Sequence, residues 1–169
     1  MQPSRFVRRA LFSTLLFLLL LAPGYGQDAA SPRELYESGL EDLEGDRLYE
    51  AVEAFSEAVA TNPGYADAHI GLARAYGRLG ELDQALGHAE RARELAPLDP
   101  QSLNTLAAIR IDLGNLDGAR ELYETVLRRQ PNNQEARLGL AELSVATGDF
   151  DAAVQRYETV RRGAPRNRR

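Results

Sequence analysis

Residues 66–99 read ADAHIGLARAYGRLGELDQALGHAERARELAPLD. Two stretches of helical periodicity flank Gly80, and Pro97 closes the second. The same arrangement returns every 34 residues. Pro97 has counterparts at Pro63, Pro131 and Pro165, and Ala85 at Ala51, Ala119 and Ala153. Gly80 has counterparts at Gly114 and Gly148, and Ala73 at Gly39, Ala107 and Ala141. A repeat of this length means stacked units, none able to bury its apolar face alone. The expected fold is all-α, an α-solenoid of four tandem helix–turn–helix units over 32–65, 66–99, 100–133 and 134–167, with eight helices.

Local signals fit that register. Ser31 can cap the first helix, with Pro32 at its first position and Glu34 completing a capping box. Asp99 with Pro100, and Asn133, are expected to do the same in later repeats. Second helices are expected to begin at Asp83, Asp117 and Asp151, with Tyr49 at the corresponding place in the first repeat. Gly80, Gly114 and Gly148 stand where a first helix must stop and reverse in the left-handed conformation. In the first repeat the glycine, Gly45, comes one place early. The small residues at 39, 73, 107 and 141 face those at 51, 85, 119 and 153, so paired helix axes can approach closely. Leu35, Leu72, Leu103, Leu106 and Leu140 are expected to fill the flanks from first helices, and Phe55, Tyr123 and Tyr157 from second helices.

The period, the small residues in both helices, the aromatic residues in the second helix and the closing Pro together resemble the tetratricopeptide repeat family over residues 32–167. Leu35, His69, Leu103 and Arg137 replace the Trp usual early in that family's first helix. The resemblance implies a right-handed superhelix of helix pairs. Its concave groove is lined by first helices and binds partner proteins. Helical stepping from the core positions then assigns the groove. It takes Arg33, Tyr36, Leu40 and Leu43 from the first repeat, and Asp67, Ile70, Arg74 and Arg78 from the second. Gln101, Asn104, Ala108 and Ile111 come from the third, and Leu138 and Glu142, with Glu135 and Val145, from the fourth. A mixed surface with an apolar centre suits an extended peptide or a helix of a partner protein. The alternative is that several of these residues pack against neighbouring repeats. Some family members clamp chaperone tails with Lys and Asn in the groove. Tyr36, Leu40, Gly71, Gln101 and Thr105 fall at those places here and no Lys occurs anywhere, so that ligand is rejected.

Composition narrows the remaining classes. The absence of Cys excludes disulfides, thiolate metal sites and a lipid-modified cysteine. All 20 basic residues are Arg, against 25 acids. An acidic body with a basic end, RRGAPRNRR, does not match the basic stripe of a nucleic-acid binder. Arg5, Arg8 and Arg9 precede the apolar run Ala10–Ala22, followed by Pro23 and small residues. That pattern predicts a secretory signal over 1–26, cleaved after Gly26, then a linker over 27–31. The expected destination is the bacterial periplasm or exterior. The alternative is an inner-membrane anchor, but a 13-residue helix spans about 20 Å of a hydrocarbon core of about 30 Å.

No catalytic constellation, phosphate loop or cofactor motif is apparent, and no enzyme activity or cofactor is expected. His69 is expected in the core and His88 at the surface or in packing; alone they make a poor metal site. Net charge falls from −7 in the first repeat to −2 in the second and zero in the third and fourth, before Arg168 and Arg169 at the basic end (168–169). A solvated acidic face explains that gradient. The sharper alternatives are self-association, head to tail between basic and acidic ends, and docking of the tail on anionic lipid. Membrane contact is otherwise expected only through an uncleaved signal. In the last helix Arg161 and Gly163 replace Leu127 and Arg129, so the end of the stack is either its own cap or an interface.

Overall fold

The computed structural model describes residues 30–163; the expected export signal and the basic end at 168–169 lie outside them. Eight helices follow one another: α1 (Pro32–Glu44), α2 (Leu48–Thr61), α3 (Ala66–Leu79), α4 (Leu82–Leu95), α5 (Pro100–Asp112), α6 (Leu116–Arg129), α7 (Gln134–Ala146) and α8 (Phe150–Gly163). The described residues contain no strand, and the fold is an all-α helical repeat.

The helix boundaries follow from capping chemistry. Ser31 Oγ accepts from the Glu34 amide while Glu34 Oε2 accepts from the Ser31 amide, a complete capping box. Asp99 accepts from the Ser102 amide and Asn133 from the Ala136 amide. Gly80, Gly114 and Gly148 each take φ +77°, the left-handed stop that glycine makes without steric cost. In the first repeat Asp46 holds that register position with φ +60°, while Gly45 keeps an ordinary φ of −76°. The expected capping aspartates differ from the observed caps. The helices begin at Leu82, Leu116 and Phe150, so Asp83, Asp117 and Asp151 lie in first turns. Asn115 caps α6 through the Gly118 amide, and Asp149 accepts from the Ala152 amide at the start of α8.

Packing is built on the small residues. Ala73, Ala107 and Ala141 on first helices and Ala51, Ala85 and Ala119 on second helices are all 0% exposed, so the helix pairs meet backbone to backbone. Larger side chains lock one pair to the next. Phe55 sits against both Gly39 and Gly71, where an added Cβ would come within 2.6 Å and 2.7 Å of its ring. Tyr123 fills the equivalent socket at Gly139, where a Cβ would lie 2.1 Å from Cζ. The second repeat reverses sizes: Ala89 stands at the aromatic position and Thr105 at the glycine position, with Leu106 packed against Ala73 and Ala89. Each helix packs on the next in sequence. In addition α1 packs on α3, α3 on α5 and α5 on α7, whereas among the described residues no second helix backbone comes close to that of another second helix. The first helices therefore form one continuous face.

Candidate functional site

The first-helix face carries most of the assigned groove residues, in three different states. Arg33, Asp67, Arg74, Ala108, Leu138 and Glu142 are exposed on it, as are Glu135 and Val145. Tyr36, Leu40, Gln101 and Ile111 are half-buried. Leu43, Ile70 and Asn104 are 4%, 1% and 1% exposed, which corrects their assignment as ligand-facing residues. Leu43 belongs to the core cluster of the first repeats. Close packing of first helix on first helix consumes these positions, so the exposed stripe is narrower than helical stepping gives. Asn104 donates through Nδ2 to Asn133 Oδ1 (3.2 Å) and Glu135 Oε2 (3.0 Å), tying α5 to the start of α7. Both partners are acceptors, which fixes the amide orientation.

The charged residues also divide. Arg78 is spent on structure: Nη1 donates to the Leu43 carbonyl at 2.6 Å and Nη2 pairs with Asp46 at 2.5 Å. It thus closes the C-terminal end of α1 and holds the left-handed Asp46 turn. Arg33 pairs with Glu37 one turn on, at 2.8 Å. Arg74 makes no ion pair with a described residue. Tyr36 packs on Phe55 and Tyr65, ring centres 5.7 Å and 5.4 Å away, and burial raises its phenol pKa, with Asp67 adding to the shift and Arg74 opposing it. At the other end, burial pushes the Tyr123 phenol far up, helped by Glu142, Glu135 and Asp112. These three carboxylates gather on the first helices of the third and fourth repeats.

Between the two ends lies a cleft of about 270 Å³, lined by Arg74, Gly77, Arg78, Thr105, Ala108, Ile109, Asp112 and Glu135. Gly77 lets Ile109 pack closely at its wall: a Cβ there would meet Ile109 Cδ1 at 2.8 Å. Gly77, Ile109 and Asp112 were absent from the sequence assignment. A glycine inside a helix, away from the repeat's own glycine positions, was the available signal.

Two further hollows lie off this face. One, of about 350 Å³, runs between Leu127, Arg137, Leu140 and Arg156. The other, of about 370 Å³, holds His69, Tyr76, Gln84, His88 and Arg91. His69 and His88 bring their Nδ1 atoms to 3.0 Å, and His69 Nε2 lies 3.3 Å from the Pro63 carbonyl. Nε2 therefore donates to the carbonyl, and His69 Nδ1 accepts from His88 Nδ1–H. Tyr76 stacks on His88 at 5.7 Å and 8°. Among the described residues no three His, Cys, Asp or Glu converge to hold a metal, and no helix is long and apolar enough to cross a membrane.

The tetratricopeptide repeat model matches residues 43–109 and 110–169. The chain belongs to the tetratricopeptide repeat family. A thermophilic member from Thermus thermophilus superposes with TM-score 0.74 at 26% identity, over 81% of this chain and 76% of that one. The first repeat domain of Spaghetti (RPAP3), solved with an HSP90 peptide SRMEEVD, gives TM-score 0.65 at 26% identity, over 74% of this chain and 99% of that one. Among curated sequences, Hsp70-Hsp90 organizing protein 3 of Arabidopsis thaliana is 32% identical over 101 residues, 60% of this chain. The chain spans 18% of that relative's length. These repeats are protein-interaction modules, so the first-helix face is the candidate site.

Proposed function

We propose that this chain is a non-catalytic adaptor of the bacterial cell envelope, exported by residues 1–26, that holds an extended or helical segment of a partner protein across its first-helix face. The observation that carries the reading is the continuity of that face. Arg74, Ala108, Leu138 and Glu142 stay exposed along it while the residues between them hold the repeats together. Its chemistry specifies the segment: an apolar centre over Ala108 and Leu138, an acidic group opposite Arg74, and basic groups opposite Asp112, Glu135 and Glu142. An acidic peptide such as the SRMEEVD segment has the wrong charge for those carboxylates, and Tyr36, Leu40, Gly71, Gln101 and Thr105 offer it neither Lys nor Asn.

The test is crosslinking in the native envelope followed by mass spectrometry, with Arg74→Glu and Glu142→Arg combined. Both side chains are exposed, so the melting temperature should hold while partner capture falls at least tenfold. Undiminished capture would reject the face. Export is tested separately: the envelope form should begin at Gln27, and a chain retaining Met1 in the soluble cytoplasmic fraction would reject it.

A further inference from the structure

The described end of the stack presents a stripe on α8, with Phe150 65%, Val154 58% and Tyr157 39% exposed. These positions recur at i, i+4 and i+7, and Arg161 continues the same line. Elsewhere in the repeat register they are junction positions. Phe150 corresponds to half-buried Leu48, Leu82 and Leu116, and Val154 to half-buried Val52 and Leu86 and to exposed Arg120. Tyr157 corresponds to Phe55 and Tyr123, each buried against a glycine of the following repeat.

A second copy could cover this stripe head to tail only by bringing its first helix to Tyr157. The register position that holds Gly71 and Gly139 is Glu37 in that helix, an exposed carboxylate paired with Arg33. A ring that elsewhere needs a bare backbone would meet a charged side chain, so a head-to-tail join fails at its central contact.

Antiparallel pairing of α8 with itself has no such conflict. With the two-fold axis between residues 155 and 156, Val154 lies opposite the partner's Tyr157, and Phe150 opposite the partner's Arg161, a cation over an aromatic face. On one flank Asp151, at the start of the helix, lies beside the partner's Arg162, at its end, which pairs with Glu158 in its own helix. Every contact is made twice, as a two-fold interface requires. We propose that this chain forms a tail-to-tail homodimer through the stripe Phe150, Val154, Tyr157 and Arg161 of α8, leaving both first-helix faces open. The face of a helix about 21 Å long and about 10 Å across covers roughly 200 Å², well below the roughly 800 Å² per partner of a standard stable interface. The dimer is therefore a weak, concentration-dependent one.

Sedimentation equilibrium of the purified chain from about 1 to 500 μM spans the range of such an interface. The expected result is a shift from the monomer mass to twice that mass. Val154→Arg, at an exposed position, should weaken dimerisation at least tenfold with helicity by circular dichroism unchanged. Asp151→Arg should weaken it as well, and adding Arg162→Asp to that chain should restore it, which general stickiness would not do. A monomer throughout overturns the proposal, as does a mass that grows beyond the dimer or a dimer untouched by Val154→Arg. Failure of Arg162→Asp to restore pairing overturns it too. A chain that stays monomeric alone yet sediments with anionic vesicles in a Val154-dependent way assigns the stripe to lipid instead. None of these outcomes bears on partner capture by the first-helix face.

Discussion

Tyr123 and Tyr157 occupy the same place in consecutive repeats, yet one is 2% exposed and the other 39%. Their own helices are alike in length, and each lies one turn after a buried alanine, Ala119 or Ala153. The difference lies in what comes next. Tyr123 meets α7 with Gly139 turned toward it, and Tyr157 meets no described residue that could bury it. In a repeat stack the energetic meaning of a residue is therefore decided by its neighbour as much as by its own helix. The same ring is a structural knob at one junction and an available contact at the end.

Truncation should expose that contrast most sharply. Tyr123→Ala removes a buried ring from the core of the third and fourth repeats and is expected to cost about 3–5 kcal/mol. Tyr157→Ala should cost less than about 1 kcal/mol, as at other exposed sites. Urea unfolding of the two variants, at concentrations low enough to keep the chain monomeric, measures both. Equal losses would mean that the two positions share an environment and would break the comparison.

The socket side predicts a smaller effect. Gly139→Ala places a methyl group 2.1 Å from Tyr123 Cζ, and ring and helix must separate to admit it. Overpacking of this kind costs about 1–3 kcal/mol. The cost should largely vanish in the Tyr123→Ala background, where the ring is gone. An additive double mutant would show that Gly139 matters for some reason other than the knob.

The repeat period made the fold legible because each landmark has a local physical cause: glycine for the left-handed stop, alanine for the close crossing, proline for the helix end. The site was legible only in part. Stepping along a first helix assigned Ile70 and Asn104 to the groove, but their burial depends on the lateral packing of α3 against α1 and α5 against α7, which no single helix encodes. Helical stepping predicts a groove cation at Arg78, whereas its target is a carbonyl 35 residues earlier. The turn at Asp46 was obscured because an aspartate, held by Arg78, does there what glycine does in the other repeats. The register of Tyr123 predicts a place in the flanking core for Tyr157; its exposure reflects the lack of a following socket among the described residues.

The second repeat supplies the third case and the smallest expected effect, because its junction lacks an aromatic knob and Ala89 takes that place. The imidazoles of His69 and His88 lie nearby on α3 and α4, with Nδ1 atoms 3.0 Å apart. Only one hydrogen fits between those atoms, so a doubly protonated pair would set two N–H donors against each other. Burial lowers the pKa of both imidazoles; Arg91 lowers that of His69 further, and His69 that of His88, while the Pro63 carbonyl partly offsets the effect at His69. Tyr76, Gln84 and Arg91 complete the surroundings. A folded pKa below the unfolded value of about 6.5 means that the unfolded chain binds more protons between the two values. Stability from this pair is therefore fully present above about pH 6.5 and declines as pH falls toward the folded pKa values, below which it stays flat. Urea midpoints should fall from about pH 7.5 to about pH 5, a range in which ordinary carboxylates near 4 titrate little. His88→Gln should flatten that slope while keeping a polar partner for His69. A slope unchanged by the substitution would locate the proton uptake elsewhere and leave the second junction as insensitive to pH as the aromatic ones.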